Sequence, residues 1–207
     1  MPHQDETLLL HLNEAIATHH DKEKLFQVIT SKLRLIFPFD LIGINIFDAD
    51  FRNKRMFLRS YDGPFQPNGL PPPVAYFTPV AGSPVELLLA NPQLTRIELT
   101  DYFKQYPDFE SFRHMWQAGI RHLTAVPLRL AGQLTGFLML AAARQPTLTA
   151  ADEHLLEKIG SLVAVAVANT LAFQKRISKA RANAQLMALV LVLIFIMLGL
   201  FFLDRVP

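Results

Sequence analysis

Gly119 to Phe173 reads GIRHLTAVPLRLAGQLTGFLMLAAARQPTLTAADEHLLEKIGSLVAVAVANTLAF. Two apolar segments, Ile120–Leu130 and Leu134–Ala143, flank the short turn Ala131–Gly132–Gln133, and that spacing predicts a β-hairpin. After the hairpin the period changes. Leu155, Ile159, Leu162, Ala166 and Asn169 recur on one helical face, with Val163, Val167 and Leu171 beside it. Thr149 opens this helix, and Asp152 and Glu153 occupy its first turn, where the helix dipole favours carboxylates. The helix is expected to run from Ala150 to Lys179 and onward, because nothing between Lys175 and Leu186 forces a break.

Working outward, Leu8, Leu9, Leu12, Ala15 and Ile16 share one face of a helix over residues 7–18. Asp21 caps a second helix with the apolar stripe Leu25, Val28, Ile29, Leu33 and Ile36, stopped by Pro38. In residues 41–48 (LIGINIFD) Leu41, Gly43, Asn45 and Phe47 alternate with Ile42, Ile44, Ile46 and Asp48, a strand with one aliphatic face. A polar turn over Asp48–Asn53 joins it to a partner strand, Lys54–Tyr61. Seven of the 14 prolines fall between Pro64 and Pro84, so residues 62–84 read as a loop. Ser83–Ala90 reads as a short helix, Leu94–Leu99 as a short strand and Glu110–Gln117 as a helix ending before Gly119. This order gives an α+β fold with a central antiparallel sheet and flanking helices.

The quoted stretch resembles the GAF domain, the small-molecule sensor module of phosphodiesterases, phytochromes, histidine kinases and enhancer-dependent transcription activators. Val126–Pro127–Leu128 is similar to the family's strand motif, and Gly136–Leu140 to its G-x-L-x-L strand. Leu148–Asp152 resembles the F-[ST]-x-x-D helix start, with Leu148 in place of Phe, and the run to Asn169 and Ala172 resembles its last helix. The likeness covers roughly residues 5–175. It implies a GAF-like fold over residues 1–175 and says little about ligand.

Leu186 to Leu203 is 18 residues without a charge or a hydrogen-bonding side chain. As a helix it spans about 27 Å, close to the roughly 30 Å hydrocarbon core of a bilayer. The domain plan is therefore residues 1–175, a basic juxtamembrane linker over 176–185, a transmembrane helix over 186–203 and a short tail over 204–207. Lys175, Arg176, Lys179 and Arg181 precede the span, and only Arg205, beside Asp204, follows it. The positive-inside rule then expects a single-pass tail anchor with the N-terminal domain in the cytoplasm. The N-terminus has no signal-peptide pattern: it carries Asp5 and Glu6, and the apolar run Leu8–Leu10 is short.

Charge and composition exclude several functions. The formal net charge is +2, but five of the 20 basic residues lie at or beyond Lys175 and only one of the 18 acidic ones does. The body before Lys175 is left at −2, and no direct nucleic-acid binding is expected. The chain has no Cys, so it has no disulfide, Cys-based zinc site, thiol nucleophile or thioether-linked cofactor. The resemblance adds that methionine-sulfoxide-reducing GAF activity and bilin attachment through Cys are excluded with it. His3, His11, His19, His20, His114, His122 and His154 form no H-E-x-x-H motif, and no Gly-rich phosphate loop or G-x-S-x-G occurs. No catalytic or metal-binding residues are expected. Of the cyclic-nucleotide GAF signature, only Leu148, Asp152 and Glu153 have a counterpart.

By resemblance, a pocket lies over the sheet, roofed by the segments from Tyr61 to Trp116. Arg59, Tyr76, Tyr102, Arg113, Trp116, His122 and Thr124 are its candidate ligand-binding residues. An aromatic wall with a few polar groups suits a small ligand, and Arg59 or Arg113 suits a carboxylate or phosphate. The cofactor is unknown; a small metabolite or nucleotide fits and none is required. The expected function is a non-enzymatic, membrane-anchored GAF signalling protein, acting as a sensor or as a dimeric interaction scaffold. Its partners are the lipid bilayer, a second copy forming a homodimer, and an unknown signalling protein. The alternatives are a regulatory fragment or partner of a transcription activator or histidine kinase, and a small enzyme on the GAF scaffold.

Overall fold

The computed structural model of the chain describes residues 2–18, 21–61, 78–83, 85–106 and 110–203. Residues 62–77 of the proline-rich loop therefore lie outside the described residues, as do Pro84, the His19–His20 pair and the tail over 204–207. Two helices come first, α1 (Pro2–Thr18) and α2 (Lys22–Arg34). Helix α1 starts five residues earlier than its apolar pattern and buries Leu8, Leu12 and Ala15. Asp21 caps α2 as expected, its carboxylate accepting from the Lys24 backbone N–H at 2.9 Å. Leu25, Ile29 and Leu33 are buried, but α2 ends at Arg34, so Ile36 falls beyond it and is exposed.

The strands are β1 (Leu41–Phe47), β2 (Asn53–Tyr61), β3 (Thr78–Pro79), β4 (Thr95–Glu98), β5 (His122–Leu130) and β6 (Gln133–Ala142). They form one antiparallel sheet in the order β3-β2-β1-β6-β5-β4. Both expected hairpins are present. In β1–β2 the Asp48 carboxylate accepts from the Asn53 backbone N–H at 3.1 Å and from its amide at 2.7 Å, closing the turn. In β5–β6 the turn is Ala131–Gly132, with φ of 49° and 81°.

Between the hairpins stand α3 (Val85–Ala90), α4 (Leu99–Gln105) and α5 (Glu110–Gln117). Helix α4 has no counterpart in the sequence reading: it grows directly out of β4 and spans only two turns, too short for a periodic signal. The last helix, α6, runs Ala150–Leu203. Thr149 and Asp152 cap it reciprocally: the Thr149 hydroxyl accepts from the Asp152 N–H at 3.2 Å, and the Asp152 carboxylate accepts from the Thr149 N–H at 2.8 Å.

The chain divides into two compact units, Met1–Ala168 and Asn169–Pro207, so the division falls inside α6, seven residues before the expected boundary. In the first unit α6 buries Leu155, Leu156, Ile159, Val163, Ala166 and Val167. The buried stripe is rotated from the expected one: Leu162 is half-buried and Asn169 is exposed. In the second unit, Leu186, Met187 and Leu189 to Leu193 are exposed large apolar residues.

Candidate functional site

Cross-strand partners in an antiparallel sheet point to the same face. The registers therefore lay out four rows on one face. The first is Tyr61–Leu41–Ala141–Leu123–Ile97, and the second is Arg59–Gly43–Met139–Ala125–Thr95. The third is Met56–Asn45–Phe137–Pro127, and the fourth is Thr78–Lys54–Phe47. Leu41, Leu123, Ala125, Phe137, Met139 and Ala141 share a core cluster with Val85 and Leu88 of α3, Leu99 and Tyr102 of α4, and Met115 of α5. The three short helices thus cover this face, as the roof over the sheet was expected to do.

The other face carries Ile42, Ile44, Leu138, Leu140, Thr124 and Val126. Arg34 of α2 donates to Ser60 Oγ there at 3.1 Å, and a Cβ on Gly160 of α6 would meet Val126 Cγ1 at 3.0 Å. The terminal helices therefore pack opposite α3–α5.

This layout separates the seven candidates. Arg59, Tyr102 and Trp116 belong to the α3–α5 side. Tyr102 is buried and stacks on Tyr106 at 4.5 Å; burial raises its phenol well above the ordinary value. Trp116 packs against the cluster, stacked on Phe103 at 5.8 Å, with the Arg121 guanidinium 4.6 Å from its ring centre. Arg59 is half-buried with its guanidinium 5.6 Å from the Tyr61 ring centre, and burial lowers its pKa. His122 and Thr124 lie on the opposite face, because their parity on β5 matches Val126 and not Leu123 and Ala125. Thr124 is 2% exposed there. Arg113 is exposed on α5, and Tyr76 lies outside the described residues.

Two residues that sequence reasoning passed over stand on the α3–α5 face. Asn45 is 3% exposed and its amide nitrogen makes no hydrogen bond. Lys54 is half-buried with Nζ 3.4 Å from Thr78 Oγ1, and desolvation lowers its pKa to about 8. The signal for Asn45 was present: it is the one polar side chain on the Leu41–Gly43–Asn45–Phe47 face of its strand. None of the four rows carries a carboxylate. Among the described residues, no group of three or more His, Asp or Glu side chains is placed to hold a metal ion. The face therefore offers apolar area, aromatic rings and hydrogen-bond donors.

Comparison with known proteins gives the architecture a family. The GAF domain model matches residues 21–167. No curated protein matches the sequence. Among solved structures, the GAF domain of a two-component sensor histidine kinase from Bacillus halodurans is 16% identical, with a TM-score of 0.60, covering 75% of this chain and 99% of that one. The chromophore-binding domain of a bacteriophytochrome from R. palustris is 14% identical with a TM-score of 0.57. That match covers 81% of this chain, which spans only 61% of the bacteriophytochrome domain. A GAF domain/HD domain protein from Geobacter sulfurreducens is 14% identical with a TM-score of 0.56, covering 79% of this chain and 96% of that one. At these identities the likeness shows the fold. Sheet order, helix placement and the match over residues 21–167 agree, and the chain belongs to the GAF domain family.

Proposed function

We propose that this chain is a non-enzymatic, membrane-anchored signalling protein whose GAF domain senses a small molecule on the cytoplasmic face of the bilayer and works as a dimer. The exposure of the apolar side chains from Leu186 to Leu193 is the observation that supports it most. They are exposed among the described residues, and a helix that satisfies its own backbone is suited to lipid. Among the described residues, one helix is long and apolar enough to cross a membrane. Lys175, Arg176, Lys179 and Arg181 are all exposed on that helix just before the apolar run, which favours a cytoplasmic N-terminal domain. Dimerisation is supported by Val165, Phe173 and Ile177, exposed apolar residues at helical spacing on α6. Two anchors in one bilayer raise the effective concentration of such a pair. Ligand sensing is supported by the donor-bearing, partly aromatic face under α3–α5. The similarity to a sensor histidine kinase GAF domain favours a second reading, in which the chain is a regulatory partner or fragment of such a system.

The test is fractionation of cells making the full chain or the chain ended at Ala182, followed by native mass spectrometry. The full chain should sediment with membranes and resist carbonate extraction, and the shortened chain should be soluble. A shortened chain that stays with membranes, or a full chain that is soluble, would overturn the anchor. A retained small molecule supports sensing, and an empty domain from every preparation counts against it.

A further inference from the structure

We infer that the basic stretch of α6 before the apolar run, Lys175, Arg176, Lys179 and Arg181, binds the headgroups of anionic phospholipids. This rests on the anchor reading above and names the lipid class that the anchor selects. All four side chains are exposed, and none pairs with a carboxylate among the described residues. The sequence has no Asp or Glu from Ile159 to Leu203, so no acid stands at the three- or four-residue spacing that an ion pair along the helix needs. The apolar run sets the depth of the cations. With Leu186 at the edge of the hydrocarbon, Arg181 stands five residues out, about 7 Å along the helix, and Lys179 about 10 Å. The headgroup layer of one leaflet is roughly 5–8 Å thick, so Arg181 lies within it and Lys179 near its outer edge. Arg176 and Lys175 stand about 15 and 16 Å out, roughly one Debye length above that layer, and their long stems can lean toward it. The angular spread favours lipid over an acidic protein. At about 100° per residue, Lys175, Arg176 and Lys179 share one side of α6, whereas Arg181 points about 160° away from Lys179. A partner docked on one side would meet three of the four; headgroups surround the helix and meet all of them. The two arginines supply planar forks suited to phosphate oxygens, and the two lysines point charges. Near an anionic surface each such cation strengthens attraction roughly fivefold.

The experiment is electron paramagnetic resonance of spin-labelled phosphatidylglycerol and spin-labelled phosphatidylcholine in phosphatidylcholine vesicles holding the full chain. Both leaflets have the same composition, so the orientation of the chain does not enter. A helix in the bilayer restricts the labelled lipids beside it, and the restricted fraction gives the relative affinity of each. Phosphatidylglycerol should associate at least about twofold more strongly than phosphatidylcholine at low salt, and the preference should shrink in about 1 M salt. Replacing all four cations (Lys175→Gln, Arg176→Gln, Lys179→Gln, Arg181→Gln) should make the two lipids equal. If that variant does not reconstitute, Arg181→Gln should still lose more of the preference than Lys175→Gln, because Arg181 is nearer the hydrocarbon. Equal association of both lipids with the wild-type chain, or a preference unchanged in these variants, would overturn the headgroup assignment while leaving the anchor intact. A wild-type chain that restricts neither lipid would overturn the anchor and this inference together.

Discussion

Gly136 on β6 lies so close to the main chain of Asn45 on β1 that a Cβ built on it would overlap the Asn45 carbonyl oxygen. The same Cβ would stand 3.0 Å from Ile46 Cα. The obstacle is backbone, so it cannot swing aside as a flexible side chain can. The β1–β6 register sets Asn45 beside Phe137 on the face under α3–α5, and the missing side chain at 136 allows the two strands to close there.

Gly136→Ala should therefore destabilise the domain by about 2–3 kcal/mol. Trp116 is the only tryptophan and packs against the core cluster, so urea unfolding followed by its fluorescence reads the change directly. A shift below about 0.5 kcal/mol would show that the strands separate without penalty.

The start of α6 offers a contrast between two contacts. Thr149→Val removes the hydroxyl that accepts from Asp152 N–H and should cost about 1 kcal/mol. Arg96 reaches the same turn, pairing with Glu153 and donating to the Leu148 carbonyl, but both charged side chains are largely exposed. Arg96→Ala should cost less than about 1 kcal/mol, and most of that should vanish in high salt. Denaturant midpoints of the two variants at low and high ionic strength check the order.

Stability should vary with pH in a defined way. The unfolded chain holds a proton on Lys54 up to about pH 10.5, whereas the folded chain releases it near pH 8. The unfolded state therefore binds more protons across that window, and stability rises with pH through it, by up to about 3 kcal/mol. Tyr102 acts in the opposite sense: its folded pKa is raised, so the unfolded chain ionises first and stability falls above about pH 10. Asp48, lowered mainly by its hydrogen bond from Asn53, contributes stability that is lost as the pH falls below about 4. Urea midpoints should peak near pH 10, and Lys54→Met should lack the rise between pH 8 and 10.

The proposed α6 contact between two copies predicts that Val165→Glu lowers the dimer fraction at least tenfold in detergent without unfolding the domain, since Val165 is exposed. Analytical ultracentrifugation measures it. An unchanged dimer would move the interface elsewhere.

Elements with a strong local signal were readable directly. The two hairpins, the Asp21 cap, the helix over Glu110–Gln117 and the Thr149 start all follow from neighbours a few residues apart. Helix α4 was missed because seven residues hold too little period to distinguish it from a loop. Rotation of the α6 stripe was missed because alanine and valine are nearly continuous from Val163 to Ala168, so periodicity alone does not choose which of them to bury.

Assembly of the face under α3–α5 is of another kind. Residue types pointed to Arg59, Tyr102 and Trp116, and the fold does place them on one side of the sheet. Thr124 and His122 looked equally suitable, yet strand parity turns them toward the face shared with α2 and α6. Asn45 and Lys54 seemed unremarkable until the β1–β2 register set them on one face with Arg59. Hydrophobic patterning and capping are local energies, legible along the chain. Which polar groups share a face depends on pairings between strands up to about a hundred residues apart, such as Leu41 with Ala141, and only the closed sheet decides them.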